Sequence, residues 1–507
     1  MSAERLAAAF GDFTQLVRDH ARAQPSRPAV IQGDRVLDFA ALDAAMDRVA
    51  TVMQRQGVGP CDAVAICGAA SIEYLVVFLA ALRAGAAAAL VSPALPAAVI
   101  ARMVDDSGAR MAFLDGDASR ALGDAHARVG AEVVALEQAC ALGTAGAKPA
   151  RVEPQPDWPF NIIYSSGTTG EPKGIVQPHS MRWVHMQRGP AYGYDARSVT
   201  LISTPLYSNT TLVSVFPTLA MGGAVLLMPK FEAGEYLALA ERRRASHAML
   251  VPVQYQRIMA RADFGRYDLG SFRGKFSTSA PFAAALKSDV LDRWPGALFE
   301  FYGLTEGGGT CVLAAHLHRD KLHTVGQPAP GHDIRLIDDA GREVPRGGPG
   351  EVVGRSRAMM TGYHRRPDLT AQAEWRDASG QRFIRTGDVG RFDDDRFLVL
   401  VDRKKDLIIS GGFNVYPADL EAVLRQHPAV AESAVVGVPS AQWGETPVAF
   451  VVARRGETCE AAEVLAWTNA RVGKVQRLAD VRVIAEMPRS AIGKVLKREL
   501  RESYRPR

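Results

Sequence analysis

The sequence predicts an α/β protein. A large N-terminal domain, residues 1–401, holds layered α/β subdomains plus a β-barrel-like subdomain, and a small α+β C-terminal domain spans 402–507. Three observations predict this. Helical and strand patterns alternate over the first ~150 residues, and again from Phe160 to about Gly309, as layered α/β architecture requires. Between Thr324 and Leu400 the pattern turns to short strands separated by Gly, Pro and Asp. Near Asp402 a basic turn, Arg403-Lys404-Lys405, leads into a small region with two helices.

Taken in order, Thr14–Ala23 has helical spacing and stops before Pro25. Ala29–Ile31 and Val36–Asp38 read as a short hairpin, and Leu42–Gln56 as a helix. Ala63–Ile66 and Ala87–Val91 are apolar runs suited to buried, largely parallel strands, with a helix, Tyr74–Arg83, between them. Ala139–Pro156 is rich in Ala, Gly and Pro and reads as a loose connector. Later strands fall at Asp333–Ile337, Glu351–Gly354, Phe383–Ile384 and Phe397–Leu400, and later helices near Pro417–His427 and Ala461–Arg471.

With 47% hydrophobic and 23% charged residues, the 507-residue chain is neither disordered nor fibrous. A net charge of +5 on so long a chain gives no basic footprint for nucleic acid. The excess is local: from Arg403 onward there are 17 Lys and Arg against 12 Asp and Glu, and the rest balances. A small basic domain suits a polyanionic partner. The five cysteines form no C-x-x-C pair, which predicts a reducing compartment without disulfides or a zinc site. MSAERLAAAF lacks the form of a secretory leader, and the most apolar stretch, Tyr74–Val91, is broken by Arg83 and Gly85. A cytoplasmic enzyme without a transmembrane segment is expected, and a homodimer is compatible with it.

The most informative segment is IYSSGTTGEPKGIV. An apolar strand, Phe160–Tyr164, runs into Ser165, Ser166, Gly167, Thr168, Thr169 and Gly170. Lys173 follows, and then a second strand, Ile175–Gln177. Packed glycines and hydroxyls let N–H and O–H donors converge on an anion, and Lys173 adds charge. A Walker A loop would need Gly-Lys-Ser/Thr at a helix start. Here Pro172 precedes Lys173 and a strand follows.

This loop and five further stretches, in order, resemble the adenylate-forming superfamily of acyl-CoA synthetases, luciferases and adenylation domains. Tyr302-Gly303-Leu304-Thr305-Glu306 is similar to its YGxTE motif, and Gly350-Glu351 through Gly362-Tyr363 to its GE…GY stretch. Arg385-Thr386-Gly387-Asp388 resembles its TGD motif. Asp402 to Asp406 resembles its hinge, and Pro488 to Lys494 its C-terminal lysine loop.

The resemblance implies a ligase that uses ATP, Mg²⁺ and coenzyme A. A carboxylate is a poor electrophile, so it is first joined to AMP, which brings two anions together and calls for cations. By resemblance, Glu306 is the Mg²⁺ carboxylate and Thr305 and Thr168 donate to phosphate oxygens. Lys494 bridges the acid and the α-phosphate. Asp388 accepts the ribose hydroxyls beside Arg403, and Tyr302, between Phe301 and Gly303, stacks on adenine. Ser279, Ala280 and Pro281 flank the nucleotide. The small domain is implied to be mobile, rotating about Lys405 between an adenylation pose and a thioester-forming pose. In the second pose Ser410-Gly411-Gly412-Phe413 enters the site, and Gly411-Gly412 also reads as a hairpin turn. Trp443 lies in a stretch, Gln442 to Glu445, similar to one in CoA-using members.

The implied acyl pocket comprises Tyr207, Ser208, Asn209, Thr278 and Gly303. Ser208 stands where many members have His, and Thr278 where many have Gly. No Asp is placed to capture an α-amine. A neutral, mostly apolar acid is therefore expected: aryl, phenylpropanoid, alicyclic or medium-chain. The acceptor is free CoA or, alternatively, a carrier protein's pantetheine.

Overall fold

The computed structural model describes all residues except 1, 124–128, 166–172, 404–405, 407, 411–412, 441, 491–492 and 506–507. The chain divides into two compact units, Met1–Asp333 with Gly354–Ile384, and Ile334–Val353 with Arg385–Arg507. The second unit takes in β-rich segments that the sequence groups with the large domain.

The first unit is built on two sheets. A seven-stranded sheet runs in the order Gly362–Tyr363, Lys173–Pro178, Pro159–Ser165, Ala87–Val91, Ala63–Cys67, Ala109–Leu114 and Glu132–Ala135. From Pro159–Ser165 onward its strands are parallel. A nine-stranded sheet is parallel from Ala297–Tyr302 through Gly274–Ser277, His247–Leu250, Val199–Ile202 and Ala224–Leu227 to Pro28–Gln32. Antiparallel strands finish both of its edges: Cys311–Ala314 with Gln327–Pro328, and Arg35–Asp38. Continuous apolar runs such as AVAIC and AAALV are buried along their whole length, as central parallel strands require.

Helix Ile72–Ala84 is buried at every position and touches strands of both sheets. Such a helix is apolar all round because both flanks face protein. Ser71 caps its start, accepting from the Tyr74 amide at 3.1 Å. Its one basic residue, Arg83, is neutralised by Asp43 and Asp47 at 2.7 and 2.9 Å. Among the described residues no helix is long and apolar enough to cross a membrane, and the five cysteines are free thiols.

The stretch expected to be a loose connector is laced down. It opens with a 3-10 helix, Leu136–Ala141. The Gln54 side chain then exchanges two hydrogen bonds with the Ala150 backbone, 2.7 and 3.0 Å, and Lys148 pairs with Asp47 at 2.8 Å. A carboxamide there acts as a short strand edge. Helix Ala97–Ser107 and strands Ala109–Leu114 and Glu132–Ala135 are elements the sequence reading passes over.

The second unit holds most of Gly350–Arg355 and of Arg382–Phe392, and Leu398–Arg403, with Arg385 forked onto Glu351. Its C-terminal sheet runs Phe413–Val415, Ile408–Ser410, Gly444–Ala453 and Val430–Ser440, with Asp480–Ile484 parallel to Gly444–Ala453. Helices Pro417–Leu424 and Ala461–Asn469 cover one face through Leu420, Leu424 and Val464. Leu500 of helix Lys497–Ser503 packs in the cluster on the other, with Val436, Val448 and Phe450.

Candidate active site

The glycine-rich segment is the loop of an antiparallel hairpin. Pro159–Ser165 pairs with Lys173–Pro178, and the last pair is Ser165 with Lys173. Ser166, Gly167, Thr168, Thr169 and Gly170 lie outside the described residues, as do Lys405, Gly411 and Gly412 and the side chains of Ser165, Arg403 and Phe413.

Around the foot of this hairpin three motifs meet. Gly362–Tyr363 adds to the hairpin, Tyr363 opposite Ile175. The Tyr363 hydroxyl donates to Glu306 Oε1 at 2.8 Å, and Lys173 Nζ lies 5.5 Å from the centre of the Tyr363 ring. Burial and the Glu306 carboxylate both push the Tyr363 phenol far up, so it stays a donor. The Thr305–Glu306 turn is held by the Met360 amide donating to the Glu306 carbonyl, 2.8 Å, and by Gln177 Nε2 on the Thr305 carbonyl, 2.6 Å. One hard carboxylate oriented by a phenol fits Mg²⁺, which takes one or two carboxylates and fills its shell with phosphate oxygens and water. Among the described residues no cluster of three metal-ligating side chains exists, as such a site needs none.

Behind this turn lies a network the sequence did not suggest. Arg182, fully buried in helix His179–Gln187, donates to Asn161 Oδ1 at 2.9 Å and to Gln177 Oε1. Gln177 continues to Asn209 Oδ1 at 3.3 Å and to the Thr305 carbonyl. Burial lowers the Arg182 guanidinium to about 9. The available signal was a lone Arg inside the apolar run Met181, Trp183, Val184.

Among the other residues expected at the nucleotide and acyl sites, Tyr302 ends strand Ala297–Tyr302 and is 9% exposed, and Phe301 faces Tyr192 edge-on at 5.3 Å. Ser279 holds a backbone φ of +80, which for a side-chain-bearing residue marks stored strain, and its Oγ meets Thr210 Oγ1 at 2.5 Å. Thr278 and Ala280 beside it are half-buried and Pro281 is exposed. Ser208 is buried and opens helix Asn209–Ala220 without a side-chain cap bond, and Tyr207 is half-buried. Gly303 faces Thr310, whose Oγ1 would lie 3.3 Å from a Cβ there.

In the second unit, Asp388 is buried and stands opposite Arg403 in the ladder of Arg382–Phe392 and Leu398–Arg403. Ser410 pairs with Phe413 on one side and Gly444 on the other, so the two expected CoA stretches adjoin, and Trp443 is 48% exposed next to Gly444. Lys494 is exposed on a loop closed by the Ser490 amide donating to the Lys494 carbonyl at 2.8 Å.

Residues 17–364 match the family model described as AMP-binding enzyme, and 419–494 match that described as AMP-binding enzyme C-terminal domain. The chain is 34% identical over 497 residues to a feruloyl-CoA synthase of an Amycolatopsis species, covering 96% of this chain and 97% of that protein. It is 31% identical over 504 residues to the fatty acid–[acyl-carrier-protein] ligase ScoC of Streptomyces coeruleorubidus, 97% and 96% of the two. The ATP-bound MatB structure from Rhodopseudomonas palustris superposes with a TM-score of 0.87 at 29% identity, covering 97% of this chain and 99% of that one. The chain belongs to the AMP-binding enzyme family, in the acyl-CoA synthetase branch of the adenylate-forming superfamily, and is an AMP-forming acid–thiol ligase whose family works with ATP, Mg²⁺ and coenzyme A.

Proposed function

We propose that this enzyme joins a carboxylic acid to AMP, releasing pyrophosphate, and then passes the acyl group to the thiol of free CoA, releasing AMP. The observation that carries this is the junction of Lys173, Tyr363 and Glu306 at the foot of the phosphate-loop hairpin. Positive charge, an oriented carboxylate and loop donors there suit a triphosphate. In this reading Mg²⁺ on Glu306 supplies charge neutralisation. Lys173, Thr305 and the loop donors Ser165, Ser166, Thr168 and Thr169 hold the phosphates. Tyr302 and Ser279 to Pro281 frame the base, and Asp388 with Arg403 holds the ribose. Lys494 offsets the charge of the attacking carboxylate, and a swing of residues 402–507 about Lys405 brings Ser410 to Phe413 and Trp443 to the thiol step.

The acid has a largely apolar body and no amino group, be it aryl, phenylpropanoid, alicyclic or medium-chain. Edge-on rings at Tyr192, Phe276, Phe299 and Phe301 support that choice. Five free thiols support a cytoplasmic setting. Transfer to a carrier protein's pantetheine is the second reading, favoured by likeness to a carrier-protein ligase. Pyrophosphate release across those four acid classes, followed by thioester detection with free CoA, tests the reading. AMP release that depends on a carrier domain would favour the second. Lys494→Ala should abolish acyl-AMP formation yet leave thioester formation from supplied acyl-AMP largely intact, and equal loss of both steps would contradict the roles assigned.

A further inference from the structure

Helix His179–Gln187 ends at Arg188, whose guanidinium meets His332 Nε2 at 2.5 Å. On its other side His332 Nδ1 accepts the Thr310 amide at 2.8 Å. A neutral imidazole carries one N–H. With Nδ1 accepting, that hydrogen sits on Nε2 and points at another donor; with the other tautomer it would oppose the Thr310 amide. Burial and Arg188 hold the imidazole down to about 4, so it is neutral at physiological pH. Two donors thus converge with no acceptor between them among the described residues. His185 faces Arg182, Arg188 and His332 together, and its Nδ1 is buried without a partner, as is Nη1 of the fully buried Arg182. Among the described residues no carboxylate perturbs Arg182, His185, Arg188 or His332. Elsewhere in this unit buried cations have acceptors: Arg83 has Asp43 and Asp47, Lys287 has Glu300, and Lys275 donates to the carbonyls of Trp294, Pro295 and Gly296. Leaving partly buried donors without an acceptor is costly, so this cluster implies a missing anion.

The cluster adjoins the proposed acyl pocket. Thr310, which fixes His332, also faces Gly303. Tyr192, four residues beyond Arg188, lies edge-on to Phe276, Phe299 and Phe301 at 5.8, 5.1 and 5.3 Å. Arg188, His332, Tyr192, Phe301 and Thr310 are all only half-buried, so a ligand can reach them.

We propose that Arg188 and His332 form an anion subsite at the end of the acyl pocket, and that the acid activated here carries a second carboxylate at its far end. This rests on the ligase reading above, and it replaces the neutral acid expected from the sequence with one that has an apolar body and two charged ends. Arg188 is the specificity-determining cation, and His332 donates from Nε2 while Thr310 holds its tautomer.

The test compares glutarate, adipate and terephthalate with their monomethyl esters, by pyrophosphate release and by calorimetric binding without ATP. At least one diacid should exceed its half-ester in kcat/KM by about thirtyfold or more, the size expected when a buried charge pair loses a partner. Arg188→Met should erase that preference through KM, leaving the half-ester within about threefold. Arg188→Lys should restore part of it, which a merely structural arginine would not do. Half-esters and diacids used or bound equally by the native enzyme, or equal losses for both in Arg188→Met, would overturn the subsite. Arg188-dependent diacid binding without pyrophosphate release for any acid would sustain the subsite and sink the ligase reading.

Discussion

The phenol of Tyr363 and the carboxylate of Glu306 share one 2.8 Å hydrogen bond, and the two residues can be separated by experiment. Glu306→Gln removes the anion and should slow pyrophosphate release by about 10²–10³-fold, the cost of losing one preorganised electrostatic contact. Tyr363→Phe keeps the anion but frees its orientation. It should raise the Mg²⁺ concentration giving half-maximal rate by about tenfold, as for other supports of metal ligands. An unchanged Mg²⁺ titration would show the contact idle. Glu306 was legible because it ends the run Tyr302-Gly303-Leu304-Thr305-Glu306. Tyr363 stood inside a recognised stretch, yet nothing local says that its hydroxyl reaches across 57 residues of chain. Arg182, Arg188 and His332 were illegible for the same reason, since their meaning lies in which neighbours lack a carboxylate.

Gly307 shows how an element, rather than a side chain, positions the site. Its φ is +75 and a Cβ there would come 2.2 Å from the Ala358 carbonyl, because Gly307 bridges to Met359. Gly307→Ala must therefore push away the segment that carries Tyr363. It should cut pyrophosphate release by more than about tenfold and destabilise the fold by about 1–3 kcal/mol in urea melts. Gly380→Ala is the control, with φ +80 and open space around its Cβ, and should leave turnover unchanged. Strands such as Ala63–Cys67 were readable because parallel, doubly covered strands are apolar without interruption. The Ala139–Pro156 stretch was misread because composition reports local stiffness, whereas its order comes from Gln54, 96 residues before Ala150.

Across the whole molecule, acid should be the sensitive direction. Burial lowers the imidazoles of His179, His247 and His332 each to about 4. Between about pH 6.5 and 4 the unfolded chain therefore binds protons that the native protein refuses. Stability is whole above 6.5 and falls with pH through that window, by up to about 1.4 kcal/mol per pH unit for each ring. Urea unfolding at a series of pH values checks the slope, and His179→Phe, which sacrifices no hydrogen bond recorded for that ring, should reduce it by up to about 1.4 kcal/mol per pH unit. A flat profile would mean the three rings titrate normally. The hairpin whose loop we propose to hold phosphate bears on how this enzyme can be re-engineered. Its two legs are locked in one ladder, with Ser165 and Lys173 as the terminal rung. A segment of equal length spliced between these two anchors would keep their pairing, so the triphosphate contacts proposed for this loop can be exchanged without disturbing the ladder.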